Sequence, residues 1–134
     1  MRSLRVCFTL LVSATCVLAD IIIADGVIST SIIRVLAHPE KYKSKRVELI
    51  GYYHSEFEES ALYLTKDDAT HLNTQNGVWI GDTAADADTN RVNRVKEGFV
   101  RVIGKFSYDS KHGAGHMGLW PAEVKDITFF NTTK

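Results

Sequence analysis

Five histidines are the first residues that could carry chemistry, because imidazole both binds metals and transfers protons near neutral pH. They are His38, His54, His71, His112 and His116. His112 and His116 are four residues apart, a spacing that makes a metal pair only on a helix. Residues 111–118 contain three glycines and cannot form a helix, so the spacing itself points to no metal.

A mixed histidine and glutamate site is a second possibility. His54 is followed by Glu56, Glu58 and Glu59, and the loop that holds His116 could fold over them. His54, Glu58 and His116 would then be the ligands of a divalent metal in a metal-dependent enzyme. The alternative is that His116 hydrogen-bonds to backbone and pins its loop, while the glutamates are solvated. The pattern favours this alternative and predicts no cofactor and no catalytic residue.

The acidic run 56–59 falls between two predicted strands, in a rim loop that OB folds use for ligands. Three aromatic residues, Tyr52, Tyr63 and Trp79, fall on the strands that form the usual OB binding face. Tyr52 would be exposed for stacking if it lies opposite the apolar face of its strand, whereas Trp79 is expected in the core. The predicted binding residues are therefore Tyr52, Glu58, Tyr63 and His116.

Five segments have strand patterns: 46–54, 61–65, 78–80, 99–106 and 119–130. Alternate positions of the first segment are apolar or glycine and share one face: Val47, Leu49, Gly51 and Tyr53. This alternation is typical of a half-buried strand. In the last segment, a break of register at Lys125-Asp126 predicts a β-bulge.

Two helices are predicted around these strands. The first covers 26–38, with an N-cap among residues 29–31, and ends before Pro39. The second covers 91–97, after a loop over 81–90.

Five strands, with a helix before the first and a short helix between the third and fourth, are the element order of a small Greek-key barrel of the OB type. Gly51 and Gly104 occupy similar places in strands one and four, where a small barrel must bend sharply. We therefore predict a mostly β fold, a five-stranded Greek-key OB-like barrel, as a single domain over residues 20–134.

Residues 39–51 resemble the lead-in of many exported bacterial OB-fold proteins: a helix ended by proline, a basic turn, then a β-branched strand interrupted by glycine. Ser44 stands where glycine is typical of that turn. The chain also looks like a family of uncharacterised secreted bacterial proteins with an acidic-aromatic second strand and a Gly-His-x-Gly loop, here 115–118. The resemblance covers 27–130 and implies the barrel, but it brings no activity with it.

The N-terminus has the pattern of a secretory signal peptide over residues 1–19. Arg2 and Arg5 precede an apolar stretch over 6–18, and Val17-Leu18-Ala19 places small residues before a cleavage site at Asp20. Two alternatives are an uncleaved membrane anchor and a lipoprotein lipidated at Cys16. After cleavage no membrane span is expected.

Cleavage changes the composition of the working protein. Residues 20–134 carry 14 Lys and Arg against 16 Asp and Glu, a formal charge of about −2, and no cysteine. Thiol chemistry and disulfides are thereby excluded, and a cysteine-free exported domain fits a bacterial periplasm. Nucleic acid is not an expected partner, because the basic residues cluster only over 41–46 and Arg101 alone lies inside a strand.

Motifs of nucleotide binding, serine hydrolysis and zinc proteolysis are absent from the sequence. We interpret the chain as an exported non-enzymatic binding or stress-tolerance module whose partner is a small ligand or an envelope protein. The alternatives are an inhibitor or immunity-type interaction protein that uses the acidic run, and the metal-dependent enzyme described above. No oligomeric state is favoured.

Overall fold

The structure, a computed structural model, describes residues 21–82, 92 and 94–133. Its strands are β1 (Ile21–Ile23), β2 (Val27–Ser29), β3 (Arg46–Glu56), β4 (Glu59–Tyr63), β5 (Gly77–Ile80), β6 (Glu97–Tyr108) and β7 (Ala122–Thr132). Its α-helices are α1 (Ile32–Ala37), α2 (Pro39–Tyr42) and α3 (Lys66–Thr70), with single 3-10 turns at Ala24–Gly26, Thr74–Asn76 and His116–Gly118.

The fold is mostly β, as predicted, and its core is a closed five-stranded OB-like barrel. The strands follow one another in the order β3-β4-β5-β7-β6, and β6 closes the barrel by pairing antiparallel with β3. The pairing of β5 with β7 is parallel, and the other neighbours within the barrel are antiparallel. The bounds of these strands differ from the predicted ones by at most three residues.

The predicted first helix, 26–38, is wrong in its first half. Residues 27–29 form β2, because they pair antiparallel with β1 and in parallel with the start of β3. The helix begins only after Ser31, whose hydroxyl accepts a hydrogen bond from the Arg34 amide. The helix ends at Ala37, before Pro39 as predicted, because His38 is not helical. Pro39 then begins α2, since a proline is tolerated in the first helical turn.

Three predicted elements lie wholly or partly outside the described residues. The predicted signal peptide, 1–19, and residues 83–90 of the predicted loop lie outside the described residues. Within the predicted helix over 91–97, Val92 and Arg94 are helical, whereas residues 95 and 96 are not. Its last residue, Glu97, already belongs to β6. Among the described residues, no helix has the length and apolar character that crossing a membrane would require.

Alternation along β3 builds the barrel interior. Val47, Leu49 and Tyr53 are fully buried there, as the predicted face requires. Gly51 shares that face, and a Cβ at its position would lie 2.6 Å from the carbonyl oxygen of Tyr63. Gly104 is equally confined, since its Cβ would lie 2.8 Å from the carbonyl oxygen of Lys125. Both glycines therefore permit a close approach of strands.

The predicted bulge is also present. Ile103 of β6 pairs with Phe129, whereas Lys105 pairs with Lys125, so β7 has two extra residues at this point. Asp126, inside the bulge, has a φ of 50°. The turn before β3 has a comparable conformation, because Ser44, which stands where glycine is typical, has a φ of 63°.

Replacing Gly51 by alanine should destabilise the barrel by about 2–3 kcal/mol, because the new methyl group would overlap the Tyr63 carbonyl and force the strands apart. Urea denaturation measures this loss. Gly81→Ala is the control, since its nearest neighbour would be the Lys125 Cβ at 3.2 Å, a contact that a small shift relieves, and we expect a change below about 1 kcal/mol. Equal stabilities of the two variants would contradict the close approach.

Candidate functional site

The outer face of β3, β4 and β5 holds the aromatic residues that were predicted to bind a ligand. Tyr52 pairs with Tyr63, and Trp79 pairs with Ala61, so the register brings these side chains to one face. They form a second hydrophobic cluster, outside the barrel, whose buried members are Tyr52, Ala61, Tyr63, Ala69 and Trp120. Trp79 packs against this cluster and is partly buried.

The expected exposure of Tyr52 is therefore wrong. Tyr52 does lie opposite the Val47 and Leu49 face, but it is only 6% exposed. Its ring packs edge-to-face on Phe99, with centroids 5.5 Å apart. Tyr63 is fully buried, so neither tyrosine can stack on a ligand in this conformation. Trp79 was expected in the barrel core, and this is wrong. Its neighbours Val78 and Ile80 point into the barrel, so Trp79 points to the outer face.

Helix α3 covers one part of this outer face and buries Ala69 against it. Thr65 caps the helix, and the carboxylate of Asp68 accepts hydrogen bonds from the Thr65 hydroxyl and from the amides of Asn73 and Asn76. These bonds hold the pKa of Asp68 below its usual value. They fix the path of the chain from α3 into β5.

The glycine-rich loop covers the other part. Ala114 and Trp120 exchange two backbone hydrogen bonds, which closes the loop over 114–120. A Cβ at Gly115 would lie 2.3 Å from the Trp79 ring, so the loop backbone rests directly on that side chain. The ring centroids of Trp79 and Trp120 are 4.9 Å apart. The usual OB binding face is thus covered by the chain itself.

The rim beside this face is built by the β3–β4 hairpin. Glu56 and Glu59 pair across a two-residue loop made of Phe57 and Glu58. Behind the loop, the Tyr63 hydroxyl donates to Oε1 of Glu59 at 2.7 Å. The same oxygen lies 3.2 Å from Nδ1 of His54, close enough for an ion pair but not aligned as a hydrogen bond.

Burial and the hydrogen bond to Glu59 together raise the pKa of Tyr63. Burial is the largest cause of a raised pKa, and the hydrogen bond to Glu59 and the charge of that carboxylate add to it. A tyrosine that must stay protonated is a good donor to a nearly buried carboxylate. Tyr63 therefore positions Glu59 at the back of the rim.

His116 reaches the same rim from the glycine-rich loop. Its Nε2 lies 3.4 Å from Oε2 of Glu58, so the loop does fold over the hairpin. The contact is with a side chain rather than with backbone. His112, four residues earlier, is elsewhere and contacts Asp109 at 2.8 Å.

The proposed metal ligands do not come together. His54 contacts Glu59 and Glu56, whereas Glu58 contacts His116, which makes two separate sets. Across residues 21–82 and 94–133, no group of three or more histidines and carboxylates is placed to hold a metal ion. His54, Glu58 and His116 are therefore not the ligands of one metal in this structure.

An open cleft of about 610 Å³ lies beside the hairpin. Its side chains include four carboxylates and, within the described residues, one lysine: Glu56, Glu58, Glu59, Asp82 and Lys96. Tyr53, Ser55, Ser60 and Trp79 supply hydroxyl groups and an aromatic ring. A second cleft of about 320 Å³ shares Glu56 and Glu59 and contains His54, Glu97 and Leu72.

Two members of the larger cleft were not predicted. Asp82 is placed by β5 and β7, where its carbonyl accepts from the Ile127 amide at 3.1 Å. Lys96 is placed by β3, because its carbonyl accepts from the Ser55 amide at 2.8 Å. Neither residue belongs to a recognisable sequence motif. Their positions in the cleft depend on which strands are neighbours, so only the strand register of the barrel could have indicated them.

Arg101, the one arginine predicted inside a strand, has a structural partner. It forms an ion pair with the buried Glu48 across β3 and β6 and lies over the Phe129 ring. It faces the outside of the sheet and does not reach the rim cleft.

Comparisons of the chain with protein-family models, with curated proteins and with solved structures found no significant match.

Gly115→Ala should loosen the glycine-rich loop, because the added Cβ would overlap the Trp79 ring. We expect a loss of at least about 2 kcal/mol in stability and a change in the near-ultraviolet circular dichroism of the tryptophans. Gly26→Ala is the matched control, since Gly26 has nearly the same φ, 69° against 68°, but open space around it. That variant should lose about 1 kcal/mol. Identical tryptophan spectra in both variants and in the parent would show that the loop does not rest on Trp79.

Tyr63→Phe should destabilise the protein by about 1–2 kcal/mol at neutral pH, because Glu59 loses its buried donor. The pKa of Tyr63 is raised above the unfolded value of 10.0. Its contribution is therefore complete below pH 10 and is lost as pH rises beyond that value. Urea denaturation from pH 7 to 11 should show the difference between the parent and Tyr63→Phe shrinking above pH 10. Tyr53→Phe is the control: it keeps the Tyr63–Glu59 hydrogen bond, so its stability should still fall above pH 10 as in the parent. If the difference in stability between the parent and Tyr63→Phe stayed constant at all pH values, this account would be refuted.

Proposed function

We propose that the protein is an exported, non-enzymatic binding module of OB-like fold that takes a small cationic ligand in the rim cleft. The observation that carries this proposal is the cleft of about 610 Å³ with four carboxylates and one lysine among its described side chains. The aromatic face that OB folds commonly use is covered here by α3 and the glycine-rich loop. The rim is the open concave surface next to it.

The charge of the cleft favours a cation. Carboxylates at the wall of a concave surface concentrate positive counter-ions more than the same groups on a flat surface. Glu59 is nearly buried, so its field is less screened than that of an exposed acid. A protonated amine could donate to these carboxylates and to the serine hydroxyls, while the Trp79 ring offers a cation–π contact.

The remaining parts of the proposal come from the sequence. The pattern of residues 1–19 supports export, and the absence of cysteine from residues 20–134 supports a bacterial periplasm. A role in binding or stress tolerance agrees with a charged cleft on a rigid barrel.

A second candidate function is an inhibitor or immunity-type interaction protein. The observation in its favour is Phe57, which is almost completely exposed at the tip of the acidic hairpin. A metal-dependent enzyme using His54, Glu58 and His116 has no such support, since these side chains form two separate sets of contacts.

Spermidine and putrescine should raise the melting temperature of the protein in a thermal unfolding experiment at low salt. At a ligand concentration tenfold above Kd, binding to the folded state contributes about 1.4 kcal/mol. This corresponds to a rise of about 3–6 °C for a domain of this size. Glucose and citrate, which are neutral and anionic, are the controls for the added molecules.

Glu58→Gln should reduce the effect of spermidine because it removes one carboxylate from the cleft without changing its shape. Glu40→Gln, an exposed acid on α2, is the control variant and should leave the effect intact. An equal rise with citrate, or no rise with either amine, would overturn the proposal.

A further inference from the structure

The two most exposed large apolar side chains of the described residues lie at the same rim. Phe57 is 92% exposed and Met117 is 82% exposed. Each is the chain neighbour of one member of the Glu58–His116 contact, whose atoms are 3.4 Å apart. Phe57 and Met117 are therefore each one residue away from the same side-chain contact at this rim. We call these two residues, with Glu56 and Glu58, the tip surface.

Both apolar residues are held on defined turns. Phe57 occupies a two-residue loop whose ends, Glu56 and Glu59, are paired strand residues. Met117 has a φ of 55°, a left-handed conformation that costs energy for any residue other than glycine. It lies between Gly115 and Gly118 in a turn that rests on Trp79. Large apolar side chains on such turns are displayed to solvent by the fold, and strained positions of this kind are enriched at binding sites.

The charged border of the tip surface indicates the chemistry of its partner. The Glu56 side chain is 71% exposed and that of Glu58 is 52% exposed. Exposed carboxylates of this kind can therefore still pair with basic groups of another molecule. An anionic membrane would be repelled by them, although it would accept Phe57 and Met117. A partner protein with basic residues around an apolar pocket satisfies both features.

We propose that the tip surface is a protein-interaction site whose partner presents an apolar pocket for Phe57 and Met117, bordered by arginine or lysine side chains. Phenylalanine and methionine are enriched at interfaces, and a central apolar anchor with a charged rim is the usual arrangement of a binding hot spot. The tip surface shares Glu56 and Glu58 with the cleft, but its two apolar anchors, Phe57 and Met117, do not line the cleft, so their substitution tests this site separately.

Selection of random 12-residue peptides displayed on phage against the purified protein tests the proposal. Enriched peptides should combine apolar residues with arginine or lysine, and their synthetic forms should bind in fluorescence anisotropy. Phe57→Ser and Met117→Ser should each weaken binding of the best peptide about tenfold or more. Glu56→Gln should weaken it less and flatten its dependence on salt. Ile50→Ser, at an apolar residue on β3 that is 56% exposed, is the control and should bind normally.

Four results would overturn the proposal. Peptides without a basic bias, or full binding by Phe57→Ser, would show that the tip surface is not the anchor. Phe57-dependent binding to vesicles of anionic phosphatidylglycerol would assign the surface to a membrane. Phe57-dependent dimerisation in sedimentation would assign it to a second copy of the chain. Phe57→Ser should keep the thermal shift with spermidine, so failure here and failure of the cleft proposal can be told apart.

Discussion

The packing of the glycine-rich loop on Trp79 is the contact on which the rest of the functional surface depends. Gly115 has no side chain, and this lets the loop backbone lie against the indole ring. Together with α3, the loop converts an outer sheet face into a second small core around Tyr52, Tyr63 and Trp120. A face that would otherwise offer aromatic rings to a ligand is therefore buried, and the rim beside it keeps an open cleft.

The same packing organises the rim. Because the loop lies on Trp79, His116 reaches Glu58 at the hairpin tip. The buried Tyr63, for its part, donates to Glu59 and keeps that carboxylate at the back of the cleft. One face of the hairpin is thus tied to the second core, and the other side carries exposed acids and Phe57. Negative charge and apolar surface are displayed together at one end of a rigid barrel.

Local patterns predicted the barrel but not its covering. Period-two alternation located the five barrel strands, and Gly51, Gly104 and the bulge near Asp126 were indicated by local sequence. Alternation assigns a residue such as Tyr52 to a face, but it does not say what packs on that face. Part of the covering comes from a loop about fifty residues after β4, and such non-local contacts have no local signal. The same holds for β2, whose pairing with β3 overrode a helical pattern.

Acrylamide quenching of tryptophan fluorescence in the unaltered protein, whose two tryptophans are Trp79 and Trp120, tests the central claim most directly. Trp120 is almost completely buried, and Trp79 is partly buried against the same cluster. If the outer face is a closed second core, the tryptophan emission should be blue-shifted and its quenching constant several-fold below that of an exposed tryptophan peptide. Quenching as strong as that of the peptide would show that the aromatic face is open, and would return Tyr52, Tyr63 and Trp79 to the position of ligand-binding residues.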